Sequence, residues 1–176
     1  MGEVQLSLLR PVAAEALIDE SAFEQEEFLP YWAELWPASR ALAEALPEVR
    51  GLRVVELGCG LGLPSLVAAA RGADVVATDW ADEAVALLRA NAERNGVELH
   101  AEVRDWRDAW AASFDLALAA DVLYEQRNVE PLAERLRELA PSALVGLAGR
   151  PYEEAFVRAA GPVEHVAPRV IRLQAS

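Results

Sequence analysis

Two spacings of apolar residues follow one another along this chain. Short aliphatic runs bounded by glycine, aspartate or proline read as strands buried on both faces. Between them apolar residues recur every three or four positions, as on a helix lying against a sheet. The first clear run is Val54-Val55-Glu56-Leu57, which breaks into Gly58, Gly60 and Gly62. Residues 63–70 then read as a helix with Pro64 in its first turn, closed by Arg71-Gly72. Residues 73–78 form the second strand, with Asp79 at its carboxyl end. In the helix of residues 82–95, Ala84, Val85, Leu87, Leu88 and Ala92 make one stripe and Asn95-Gly96 the stop. The third strand spans 97–104 and leads into Asp105-Trp106; the fourth spans 114–120 and leads into Asp121. Asn128 caps a helix that runs to Ala140, with Val129, Leu132, Leu136 and Leu139 on one face. A fifth strand (142–147) and a helix (151–160) follow, and residues 163–166 and 169–173 pair around Pro168.

Upstream, residues 4–10 read as a short edge strand, and the acidic stretch 11–29 as a short helix or ordered loop. Trp36-Pro37 ends an extended segment and opens a helix that stops before Pro47. Alternating β and α elements predict an α/β fold: a doubly wound, mostly parallel, Rossmann-like sheet with right-handed crossovers and a C-terminal antiparallel strand pair. Residues 1–176 are expected to form one domain, with 1–50 as an N-terminal cap segment and first helix and 51–176 as the core. Ligands of such sheets sit beyond the carboxyl ends of the strands, near the switch in strand order.

Composition narrows the function classes. The 176 residues are 53% hydrophobic, with mean hydropathy +0.11, as in a globular chain. No apolar run reaches the ~18 residues of a membrane span, and the first residues lack the pattern of a secretory leader. Cys59 is the sole cysteine; it reads as a small packed side chain, and a reducing cytoplasm is expected. A net charge of −13 disfavours a nucleic-acid partner. All 16 basic residues are arginine. The two histidines, His100 and His165, have no ligand-like spacing, so no metal is expected.

The candidate chemistry gathers at the strand ends. Glycines at 58, 60 and 62 let a ligand lie against the backbone at the start of a helix. A dinucleotide loop has Gly-x-Gly-x-x-Gly, and here Leu63 stands in the place of its third glycine. Asp79 follows the loop at about the spacing of an acid that binds ribose hydroxyls, ~20 residues; it is equally placed to cap the next helix. Trp80 suits one face of an adenine. Asp105 and Trp106 suit an adenine's exocyclic amine and its ring, or else a capping aspartate and a packed indole. Glu56, Asp79, Asp105 and Asp121 fall at four successive strand ends, which points them at one rim. Three aromatics, Tyr31, Trp32 and Trp36, lie between Pro30 and Pro37, suited to core packing or to a site wall.

Taken as a set, these residues carry a resemblance. Pro30-Tyr31-Trp32-Ala33, Leu35–Ser39, Glu56–Ser65 with its Glu-x-Gly-x-Gly-x-Gly, Ala77–Trp80, Asn91 with Asn95, Asp105-Trp106 and Ala119–Tyr124 resemble class I S-adenosylmethionine (SAM) methyltransferases. Within these the chain is similar to the nicotinamide N-methyltransferase-like group that includes many protein lysine methyltransferases. The Pro-Tyr-Trp-Ala segment is most like the enzymes acting on the electron-transfer flavoprotein β-subunit. The resemblance implies SAM contacts from Trp36, Gly58, Cys59, Gly60, Asp79, Trp106 and Ala120. It implies a place for Asp121 and Tyr124 on the methyl-accepting side. The expected reaction is methyl transfer to a nitrogen, with Asp121 orienting the amine and Tyr124, Trp36 and Tyr31 walling its channel. The acceptor is a protein lysine or, alternatively, a small amine; a further alternative is a non-catalytic or NAD-type nucleotide-binding domain.

Overall fold

The computed structural model describes residues 4–11 and 31–174. Seven strands form one sheet: β1 (Arg53–Leu57), β2 (Asp74–Asp79), β3 (His100–Val103), β4 (Leu116–Ala120), β5 (Ser142–Gly146), β6 (Val163–Ala167) and β7 (Val170–Gln174), in the order β3-β2-β1-β4-β5-β7-β6. The pairings from β3 to β5 are parallel. β7 is antiparallel to both β5 and β6, and the short 163–173 hairpin requires the β6–β7 pairing. The helices are α1 (Pro37–Ala45), α2 (Leu63–Ala70), α3 (Asp82–Asn95), α4 (Val129–Leu139) and α5 (Glu153–Ala160).

The period of two along each strand sorts its residues onto two faces. Val54, Leu116, Leu118 and Leu144 pack with Leu42 of α1 and Val67 of α2. On the same side, Ala77 and Ala101 meet Val85 and Leu88 of α3. Val55, Leu57, Ala117 and Val145 pack on the other side with Leu132 and Leu136 of α4 and Phe156 of α5. Every strand with helices on both sides is therefore apolar at successive positions, which is why these runs were legible. Strand order reverses between β1 and β4, and the crevice at their carboxyl ends holds the site.

Three expectations change. Residues 4–10 are not a strand. They run beside α3, where Asn91 and Asn95 stand in for a neighbouring strand. Asn91 Oδ1 accepts from Leu9 N (2.6 Å) and its Nδ2 donates to Leu9 O (3.1 Å). Asn95 does the same for Ser7 (2.8 and 2.9 Å). A side-chain amide offers a donor and an acceptor like a peptide group, and the four-residue spacing puts both on one helix face. Secondly, the expected alternation of β and α breaks between β3 and β4, whose connection has no element predicted from the sequence and carries no helix: Trp106 and Phe114, with the partly buried Trp110, cover that part of the sheet instead. Thirdly, Asn128 does not cap α4 with its side chain. Its Nδ2 instead donates to Val122 O at 3.4 Å, tying down the turn after β4. The acidic stretch up to residue 29 lies, beyond Pro11, outside the described residues.

Candidate functional site

The loop from β1 to α2 is built from left-handed glycines, with φ of 65° at Gly58, 51° at Gly60 and 70° at Gly62. Two of them also make room for the protein itself. A Cβ on Gly58 would sit 2.7 Å from Val122 Cγ1, and one on Gly62 would sit 2.3 Å from Leu88 Cδ1. The missing side chains thus let the β4 turn and α3 close on the loop, while at Gly60 the backbone of Trp32 approaches (3.2 Å from its O to a built Cβ). Cys59 N donates to Thr78 O (2.9 Å), and Gly60 N to Asp79 Oδ2 (2.8 Å). These bonds latch the loop to the end of β2. Burial pushes the Cys59 thiol well above its usual range, so it is a packed, unreactive side chain.

The four carboxylates face the same crevice but are differently employed. Glu56 is buried; its Oε2 accepts from Ser65 N (2.9 Å) and from Ser65 Oγ (2.5 Å), at the start of α2. It therefore satisfies a helix-start donor that the sequence alone left facing a ligand. Desolvation pushes its carboxyl up to about 8, against the Ser65 hydrogen bonds. Asp79, also buried, accepts from Gly60 N and from Ala81 N (3.0 Å), so the acid expected to bind ribose also holds the turn into α3. Burial raises its carboxyl too, opposed by those backbone donors. Asp105 is held by the Arg107 guanidinium through 2.6–3.0 Å contacts. Desolvation acts to raise the Asp105 carboxyl, but the Arg107 hydrogen bonds and the Arg107 and Arg127 charges together hold it below the usual carboxylate range. Asp121 sits at φ 54° just past β4, and the Arg150 fork grips it at 2.7 and 2.9 Å.

The aromatics form a wall. Trp36 caps α1 and donates its indole N–H to Tyr31 O (2.8 Å). Tyr31 stacks at a tilt on Tyr124, with ring centroids 5.1 Å apart. Burial pushes the Tyr124 phenol up to about 12, so it is a hydrogen-bond donor and not a base. Arg150 lies 5.2 Å over the Trp36 ring. Trp80 is 45% exposed beside the crevice, whereas Trp106 is buried against Gly58. The Trp106 indole N–H finds no acceptor among the described residues.

One cavity of about 210 Å³ runs through this crevice. Twelve of the residues named from the sequence line it: Trp36 and Glu56, the loop residues Gly58, Cys59 and Gly60, then Asp79 and Trp80, Asp105 and Trp106, and finally Ala120, Asp121 and Tyr124; Gly62, packed against Leu88, does not. Sequence reasoning missed Arg107 and Arg150. Arg107 stands two residues after Asp105, so local spacing held a clue to it. Arg150 comes from the turn after β5, in Gly149-Arg150-Pro151, where nothing in the local pattern marks it.

Comparison with known proteins agrees with this architecture. The chain is 36% identical over 118 residues to the electron transfer flavoprotein beta subunit lysine methyltransferase of Danio rerio, covering 61% of this chain and 44% of that protein. It is 32% identical over 128 residues to the protein N-lysine methyltransferase METTL21A of the same fish, covering 65% and 58%. The chain thus spans about half the length of the curated relatives it matches. Among solved structures, the Thermus thermophilus 16S rRNA N2 G1207 methyltransferase RsmC, in complex with AdoMet and guanosine, superimposes with TM-score 0.68. That match has 22% identity and covers 81% of this chain and 44% of RsmC. The fold is thus the Rossmann-like one of class I methyltransferases. The lysine methyltransferase family model matches residues 24–155, most of the sequence, and the chain belongs to that family.

Proposed function

We propose that the protein is a SAM-dependent methyltransferase that methylates the side-chain amine of a protein lysine. The observation that carries the reading is the convergence of the glycine loop, four strand-end carboxylates and the Tyr31–Trp36–Tyr124 wall on one cavity. The lining suits SAM. Asp79 offers carboxylate oxygens for ribose hydroxyls, Trp80 an exposed ring for adenine, and the buried Trp106 indole a donor with no acceptor among the described residues. Glu56 and Asp79 put negative charge, or groups able to acquire it, beside a cationic ligand. Bound there, SAM supplies an electrophilic methyl group on a positively charged sulfur, whose bond to carbon breaks as the carbon–nitrogen bond forms.

The chain's own task is to bring a neutral amine into line and to exclude water. A lysine, of reference pKa ~10.4, must shed its proton first. Tyr124 cannot take it at neutral pH, since its phenol holds its own proton up to about 12. Asp121 keeps lone pairs beyond those used by Arg150 and can accept one N–H of the amine. The rings of Tyr31, Trp36 and Tyr124 meet the positive charge that develops on nitrogen. A protein acceptor is favoured over nucleic acid by the −13 net charge, which repels phosphate backbones.

The test incubates the protein with methyl-labelled SAM and a cell extract, then separates proteins from metabolites. Since the chain contains no lysine, label on lysine in any protein band belongs to a substrate. Label confined to small amines would replace the acceptor class. Calorimetry showing NAD bound and SAM not bound would reject the reading altogether.

A further inference from the structure

Asp121 poses an electrostatic problem for a reaction that needs an uncharged nitrogen. A bare carboxylate at the acceptor position stabilises the ammonium form and so holds the amine in its unreactive state. In the structure the carboxylate is not bare. Arg150 Nε and Nη2 reach its two oxygens at 2.7 and 2.9 Å, and the guanidinium also covers a face of Trp36. The Asp121 side chain is 1% exposed against 29% for Arg150, so the pair is partly shielded from water and from salt. Backbone latches fix both partners. Asp121 N donates to Gly146 O (3.1 Å), and Ala148 N and Gly149 N donate to Glu153 Oε1 (2.6 and 2.8 Å).

We propose that Arg150 is a positioning residue that keeps the acceptor site from trapping its amine as an ammonium: paired with Asp121, it cancels the carboxylate's charge where the nitrogen must arrive neutral. This rests on the lysine reading above. The other groups around that point do not supply the same balance. From the segment before α1 come Tyr31 and Glu34; from the turn after β4, Tyr124, Glu125 and Arg127; from the end of β2, Asp79. Glu125 and Arg127 form an ion pair with each other. Tyr31 and Tyr124 bring aromatic rings and no cation, and Glu34 and Asp79 would add to the ammonium preference. At the start of α5, Glu153 is engaged by the 148–149 backbone and favours the charged Arg150. Arg150 forms the ion pair with Asp121.

The experiment compares Arg150→Met and Arg150→Lys with the wild type, all as the whole chain, using n-butylamine as a lysine side-chain mimic. Binding is measured at pH 7 by calorimetry with S-adenosylhomocysteine at saturation, so that this arm needs no turnover. Arg150→Met is expected to bind n-butylammonium about tenfold more tightly, yet to transfer methyl about tenfold more slowly at pH 7. The acid limb of its kcat profile, which reports the bound amine, should move up by about one pH unit. Arg150→Lys should restore both. Weaker amine binding together with slower transfer and an unmoved limb would overturn the assignment, leaving Arg150 a structural strut. So would a loss of SAM affinity beyond about threefold in Arg150→Met, or failure of Arg150→Lys to rescue. A wild type that binds SAM but methylates no lysine or alkylamine would instead bring down the lysine reading, and this inference with it.

Discussion

Replacing Glu56 by glutamine isolates a carboxylate of the site that burial perturbs strongly. Glu56 is 1% exposed, and burial lifts it from 4.5 in the open chain to about 8. The folded protein thus holds a proton that the unfolded chain has lost between those two values. By linkage, Glu56's contribution is fully favourable below pH 4.5 and declines as pH rises through about 8. At ~1.4 kcal/mol per pH unit the whole decline amounts to about 5 kcal/mol. That is a large share of the ~5–15 kcal/mol that holds a domain together. Glutamine keeps the shape and an oxygen for Ser65 N but never ionises. Urea titrations from pH 5 to 9 on both proteins measure the difference directly. The two should agree within about 1 kcal/mol at pH 5. The glutamine variant should then gain on the wild type by ~1.4 kcal/mol per unit, levelling off above pH 8. A difference that stays flat across this window would mean that Glu56 is ionised throughout, and the burial argument would be wrong.

Other outcomes follow from the same geometry. Asp121→Asn, which tolerates the left-handed backbone at φ 54°, should bind SAM within about threefold of wild type by calorimetry. It should slow methyl transfer about 100-fold, a barrier increase of ~2.7 kcal/mol; normal turnover would remove Asp121 from the acceptor side. Gly62→Ala places a methyl 2.3 Å from Leu88 Cδ1 and should destabilise by more than ~2 kcal/mol in denaturant titrations. Gly96→Ala, at φ 61° with nothing within 4 Å, should cost only about 1 kcal/mol. Cys59 should resist a thiol reagent until the protein is unfolded; rapid labelling of the native state would contradict its raised pKa. Asn91→Ala, which removes both bonds to the Leu9 backbone, should cost ~1–3 kcal/mol. It should also speed amide hydrogen exchange at Leu9, whose N–H Asn91 Oδ1 accepts, followed by mass spectrometry.

The amino-acid sequence by itself determined the core of this protein. Runs such as 54–57 and 116–120 are apolar at successive positions because both sheet faces are covered, and the helices between them announce themselves by their stripes and glycine stops. Chain order then placed an acid at the ends of β1 to β4, and a parallel sheet necessarily turns those ends to one rim. That is why the cavity lining was legible before any coordinates. Two parts escaped for lack of a local signal. The missing helix between β3 and β4 is replaced by Trp106, Trp110 and Phe114, whose packing depends on a sheet face built elsewhere. The strap at residues 4–10 looks like a strand, but its partners are amides on α3, more than 80 positions away.

Only the tertiary structure decided how the charges are spent. Glu56 turns back onto Ser65, Asp79 onto the glycine loop, Asp105 onto Arg107, and Asp121 onto an arginine from the turn after the neighbouring strand β5. A carboxylate's partner depends on which loops meet in space and on how much water they expel. Side-chain spacing along the chain carries neither quantity, so it could locate the acids but not their states.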